Sequence, residues 1–168
     1  MGCSSGVYRR HAGYAERTLD GFRERAELRG LRFVHRPCEG TYDSAAATLG
    51  RILADRPDTT GFVVQNEGAI GPLLGLLRAG GRTVPEDVSV VAVCPAAPAE
   101  QHAPRLTVVT APSKELGQLA VDQAMARIAA MAEGHEPEDE LVLMPPELVV
   151  RESTAAPPRR GARRAERP

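Results

Sequence analysis

The residues best placed for chemistry stand at the ends of short apolar runs. Gly61-Phe62-Val63-Val64 reads as a buried strand and closes in Gln65-Asn66-Glu67, after which a helix begins at once. Asn66 has two roles open to it: gripping a polyol or base edge, or capping that helix. Glu67 falls at the helix N-terminus, where the peptide dipoles favour an anion. A second run, Val88-Ser89-Val90-Val91-Ala92-Val93, ends in Cys94-Pro95. With no His or Lys beside it, Cys94 reads as a small buried hydrophobe rather than a reactive thiol.

Other chemistry lacks its equipment. The histidines (His11, His35, His102, His135) never fall at i, i+4 or beside paired cysteines, so neither a metal site nor another cofactor is expected. Gly81-Arg82-Thr83-Val84-Pro85-Glu86-Asp87 lacks the Lys and spacing of a phosphate loop, and no Gly-x-Ser-x-Gly elbow occurs. No acid–base pair stands out above surface charge, and a non-enzymatic role is expected. Cys3, Cys38 and Cys94 are odd in number and far apart, which suits reduced thiols in a cytoplasm.

The elements that must position these residues alternate. Tyr14 to Arg29 places Leu19, Phe22 and Ala26 at helical spacing and stops at Gly30. Leu31–Arg36 reads as a short strand. Asp43 or Ser44 opens a helix with Leu49, Ile52 and Leu53 on one face, ending before Pro57. Glu67–Ala79 carries the stripe Ile70, Leu73, Leu74 and Leu77, with Pro72 tolerated near its first turn and Gly80-Gly81 as its stop. The run 88–93 is continuously apolar, as when helices cover both faces of a strand. A Pro- and Ala-rich loop spans 94–105, Leu106–Val109 is a strand, and Ser113 caps a long helix to about Glu133. Past an acidic turn at 136–140, Leu141–Met144 and Glu147–Val150 are short extended pieces. The class is α/β, a parallel sheet covered by helices.

Composition narrows the partners. The chain has 168 residues, 42% hydrophobic and 26% charged, which fits one domain or two small lobes. No apolar run nears the ~20 residues of a membrane span. The start shows no signal-peptide core, and Gly6 breaks the myristoylation pattern that Gly2 invites. Aromatic content of 4% with no Trp argues against an RNA-stacking surface or an aromatic-lined lectin groove. The net charge of −1 hides an asymmetry: 155–168 holds five arginines against Glu166, so the body is acidic and a poor nucleic-acid platform. That tail reads as disordered, and 1–13 as an irregular N-terminus.

In their order along the chain, several motifs resemble LacI/GalR-type transcription regulators. DRPDTTGFVVQNEGAIGPLLGLLRAGGRTVPEDVSVVAV follows that family's strand, Asn-Asp, Ala-Ile/Leu-Gly helix and Gly-x-x-Val-Pro-x-Asp-Val-Ser-Val-Val. PRLTVVTAPSKELGQLAVDQAMARI is similar to its Pro-x-Leu-Thr-x-Val strand and Leu-Gly-x-x-Ala helix, and PPELVVRESTA to its closing strand. Upstream, ERTLDGFRERAELRGL matches the Arg-x-x-Gly-Phe helix. The resemblance covers about residues 14–155.

It implies a type I periplasmic-binding-protein-like fold, represented mainly by the carboxy-terminal lobe with a fragment of the amino-terminal one. It further implies a small-molecule effector, sugar-like or nucleobase-like, and DNA binding only through a headpiece not found in this chain. The effector residues carry over in part. The family Asn falls on Asn66, its partner Asp is Glu67, and the effector-gripping Asp falls on Cys94, which loses a charge-assisted acceptor. The family Arg falls on Thr18, while the adjacent Arg17 points about 100° away on a helix. In the family the segment equivalent to 106–133 crosses to the amino-terminal lobe. Here the stripe Leu116, Leu119, Ala120, Ala124 and Ile128 would lack its sheet, and a homodimer or a poorly behaved monomer is expected. A solute-binding protein of a sugar transporter shares the fold and is the alternative, as is a truncated remnant.

Overall fold

The computed structural model describes residues 13–136 and 141–157. The sequence expectations for 1–12, for 137–140 of the acidic turn and for 158–168 of the basic tail fall outside the described residues. From the amino end come α1 (Gly13–Leu28), α2 (Tyr42–Asp55), β1 (Gly61–Val64), α3 (Ile70–Ala79), β2 (Ser89–Val93), α4 (Ala96–Ala99), β3 (Thr107–Thr110), α5 (Ser113–Ala132) and β4 (Glu147–Val149). The strands form one sheet in the order β1-β2-β3-β4. The first three are parallel, with Phe62 level with Val90 and Ala92 level with Val108. β4 returns antiparallel, Val149 beside Val108.

One face of the sheet is the core. Phe62, Val64, Val90, Ala92 and Val108 pack with Leu49 and Ile52 of α2 and with Ile70, Leu73 and Leu77 of α3. The other face is only half-buried at Val63, Val91 and Val93. The expectation that both faces of 88–93 are covered alike therefore does not hold: the run is apolar throughout, yet burial alternates along it. Among its described side chains α1 buries only Ala15 and Ala26, neither of which joins the core, and it sets Phe22 edge-on against Phe33 with ring centroids 5.6 Å apart.

Several boundaries differ from those read in the sequence. Leu31–Arg36 forms no sheet strand. A segment becomes a strand only with a ladder partner, and this one is tied to its surroundings by side chains: Arg32 pairs with Asp58, and Arg36 with Asp55 at 2.5 Å. Leu141–Met144 likewise joins no strand. α2 is capped by Thr41, not by Asp43 or Ser44: Thr41 has the extended backbone a cap requires, and its Oγ1 accepts from Ser44 N at 3.2 Å. Ser113 does not cap α5, because it is already helical and Pro112 precedes it. The 94–105 loop contains the helical turn α4.

The stops follow the sequence closely. Gly30 (φ 62°) lets Leu31 N–H reach back to Ala26 O at 2.8 Å, and Gly81 (φ 70°) does the same for Arg82 N–H and Leu77 O at 2.9 Å. α5 is the exception to the layered packing, since none of its residues is buried. Val121, Met125, Ile128 and Met131 are each at least 60% exposed.

Candidate effector site

The carboxyl ends of β1 and β2 lie side by side, and in open α/β sheets that rim is where ligands bind. Three of the residues singled out in the sequence meet there. Cys94 is buried just past β2, and its thiol is pushed up, first by burial and then by the carboxylate of Glu67, with Arg151 opposing. Glu67 itself is exposed, at the start of a single 3-10 turn that leads into α3. The pair thus presents a neutral thiol beneath an exposed carboxylate.

Asn66, the residue before Glu67, is 1% exposed. Its Oδ1 accepts from Gly68 N at 3.1 Å, which makes it the cap of the 3-10 turn. Its Nδ2 donates to Cys38 O at 2.9 Å, stitching the loop before α2 to the end of β1. Gly40 lies against the same amide: a Cβ there would stand 2.9 Å from Nδ2, and its φ of 83° suits only glycine. Both ends of the Asn66 side chain are engaged within the protein.

Arg17 and Thr18 are on α1. Arg17 is exposed and makes no ion pair among the described residues, while Thr18 is half-buried. The structure does not join Arg17 to the group formed by Asn66, Glu67 and Cys94.

Two further residues escaped the sequence reading. Tyr42, the first residue of α2, follows the loop that Asn66 holds and is 59% exposed. Its position beside the Thr41 cap is the signal that would have found it. Gln65 ends the apolar run of β1, and its amide atoms Oε1 and Nε2 are buried without a hydrogen-bond partner. Strand alternation would have separated it from Asn66.

Away from the rim, a groove of about 170 Å³ opens at the amino ends of β2 and β3, lined by Leu74, Arg78, Arg82, Thr83, Val84, Glu86, Ala103 and Pro104. It lies on the side of the sheet opposite to the rim. Arg82 is committed there to the carbonyls of Pro57 and Thr59, both at 3.1 Å. Among the described residues, no three His, Cys, Asp or Glu side chains gather as a metal site, and no helix is long and apolar enough to cross a membrane.

A mostly parallel sheet backed by α2 and α3, with polar groups collected at its carboxyl rim, defines a ligand-binding lobe of the periplasmic-binding type. The comparisons agree. The chain belongs to the periplasmic binding protein-like domain family, whose model matches residues 2–154, and it is homologous to LacI-family transcriptional regulators. It is 30% identical over 138 residues to the HTH-type transcriptional regulator CelR of Thermobifida fusca, a match spanning 80% of this chain and 39% of that protein. With the regulator DegA of Bacillus subtilis it shares 29% identity over 140 residues, 82% of this chain and 40% of DegA. The chain thus spans about two fifths of these relatives' length.

Among solved structures, a LacI-family regulator from Mycobacterium smegmatis is 29% identical with a TM-score of 0.72, covering 93% of this chain and 58% of that one. A CelR–cellobiose complex is 27% identical with a TM-score of 0.76, covering 90% and 46%. A LacI-family regulator from Bifidobacterium animalis, 23% identical with a TM-score of 0.77 over 94% of this chain and 55% of that one, shares the fold.

Proposed function

We propose that this chain is the effector-sensing domain of a LacI/GalR-like transcription regulator. A small neutral molecule, sugar-like or nucleobase-like, binds at the carboxyl rim and alters DNA binding performed by a separate headpiece. The role is regulatory rather than catalytic, and its place is the cytoplasm. The observation that carries this reading is the exposed Glu67 carboxylate acting on the buried Cys94 thiol where the carboxyl ends of β1 and β2 lie side by side. The CelR structure is a cellobiose complex, and a LacI-family regulator from Enterococcus faecium carries bound ribose, which supports a sugar-like effector.

Partnership with a second copy belongs to the same reading. The unburied apolar surface of α5, with Leu141 and Leu143 beyond it, is more than a monomer ordinarily leaves to water, and a homodimer covers it.

A thermal-melt screen of the 168-residue chain against cellobiose, lactose, ribose, sugar phosphates and nucleobases tests the effector. A ligand at a hundred times its Kd stabilises the fold by about 2.7 kcal/mol, which a melt resolves. A cooperative transition that none of these compounds moves would refute the reading.

A further inference from the structure

The sheet ends in an edge that its own chain leaves open. β4 pairs with β3 on one side only. Arg151 N–H donates to Thr107 Oγ1 at 2.9 Å, so its backbone faces β3. At the strand period of two, Glu147 and Val149 face β3 as well, while Leu148 and Val150 turn their N–H and C=O groups outward. Among the described residues those outward groups meet no backbone partner. The side chains there are equally bare, Leu148 being 60% and Val150 68% exposed. Edge strands are ordinarily blunted by charge, proline or a bulge, and an apolar edge without them is a template for another strand.

We propose that β4 of a second copy of this chain pairs antiparallel with β4, with Val149 on the two-fold axis. This rests on the second-copy reading above and names the strand that joins the copies. Two-fold pairing opposes only residues that share a face of the sheet, which leaves few registers. One centred on Leu148 sets Val150 against Pro146, which has no N–H to give. One centred on Val150 sets Leu148 against the carboxylate of Glu152, and one centred on Glu147 opposes two like carboxylates. Centred on Val149, Leu148 lies opposite Val150 in both halves, which gathers four exposed apolar side chains. Glu147 then lies level with Arg151, an opposite charge that holds Glu100 within its own copy. Charge and proline thus select one register. Leu148 and Val150 exchange hydrogen bonds in it, and the two Val149 residues form the closer, non-bonded pair, their Cα atoms about 4.5 Å apart. Because both copies use the same edge, the pairing closes at two.

The test uses the full chain carrying Cys3→Ser, in which Cys38 and Cys94 are buried. Val149→Cys is expected to form a disulfide-linked dimer under air oxidation, since its pair lies within disulfide reach. Leu148→Cys is the control: in the same register the two substituted positions stand diagonally, about 7–8 Å apart, and stay unlinked. Val150→Pro removes one outward N–H from each copy without touching the β3 ladder. It is expected to raise the dimer dissociation constant in sedimentation about tenfold or more, with the melting midpoint of the dilute chain unchanged. A dimeric chain that links no better through Val149→Cys than through Leu148→Cys overturns the strand pairing and leaves the second-copy reading standing. So does a Val150→Pro chain that dimerises like wild type. A wild-type chain that is monomeric at every concentration overturns both.

Discussion

Asn66 Nδ2 donates to the carbonyl of Cys38 at 2.9 Å, joining two points 28 residues apart in the chain. The bond fixes the loop before α2 against the end of β1, and Gly40 lets the two approach. Asn66→Ala would leave Cys38 O and Gly68 N–H without their partner in a dry site, a loss of about 2–4 kcal/mol from two unmade bonds. Gly40→Ala would force a Cβ onto the amide and strain a left-handed backbone, at about 1–3 kcal/mol. Urea denaturation of both variants checks this, and wild-type midpoints would contradict it.

Ser153 plays a comparable part at the other edge of the core. Fully buried, its Oγ donates to Val90 O at 2.5 Å and accepts from Thr107 N at 2.8 Å, tying the stretch after β4 to β2 and β3. Ser153→Ala strands one donor and one acceptor, and about 2–3 kcal/mol of unfolding free energy should be lost. Ser153→Thr keeps the hydroxyl but adds a methyl to a filled site, so only part of the loss should be recovered.

How far these features were legible depends on whether the cause was local. The runs at 61–64, 88–93 and 106–109 declared β1, β2 and β3 because each is apolar and bounded by turn residues, and Gly30 and Gly81 declared their helix stops. Leu31–Arg36 looked equally strand-like, but strand status depends on a neighbour that no local pattern supplies. Asn66 was legible as a cap, since Gly68 is two residues away; its bond to Cys38 was not. Gln65 was overlooked because the motif drew attention to Asn66, although the period of two already assigned them to opposite faces.

Cys94 should behave as an unreactive thiol. Burial and the nearby Glu67 carboxylate both raise it, against a smaller opposing effect from Arg151, so little thiolate forms near neutrality. In a Cys3→Ser background, alkylation of Cys94 at pH 7.5 should be far slower than that of a free thiol and should accelerate on addition of denaturant. Glu67→Gln removes one of the raising charges and should speed the native-state reaction modestly. Immediate labelling of folded protein at Cys94 would contradict the assignment.

His35 gives stability a pH dependence. Burial lowers its affinity for a proton, and the guanidinium groups of Arg23 and Arg36 lower it further, from the ordinary 6.5. The unfolded chain therefore binds a proton that the folded one refuses. Stability from this group is complete above about pH 6.5 and declines as pH falls through that value towards the lower folded pKa. His35→Leu should flatten this part of the curve, as read by chemical denaturation between pH 5 and 8. An unchanged slope would mean that other groups set it.

The exposed face of α5 yields the last prediction. Val121 and Ile128 lie two turns apart on one side of that helix and are 62% and 60% exposed. If a second copy covers them, sedimentation of the wild-type chain should show a dimer whose melting midpoint rises with concentration, because association stabilises only the folded state. Val121→Glu with Ile128→Glu would place four like charges in the interface. The doubly substituted chain should then sediment as a monomer with a concentration-independent midpoint. Its own fold should change by only about 0.5 kcal/mol per site, as for surface positions that touch no core. A dimer that survives both substitutions would place the interface elsewhere, and a wild-type monomer at every concentration would remove the second copy from the proposed mechanism.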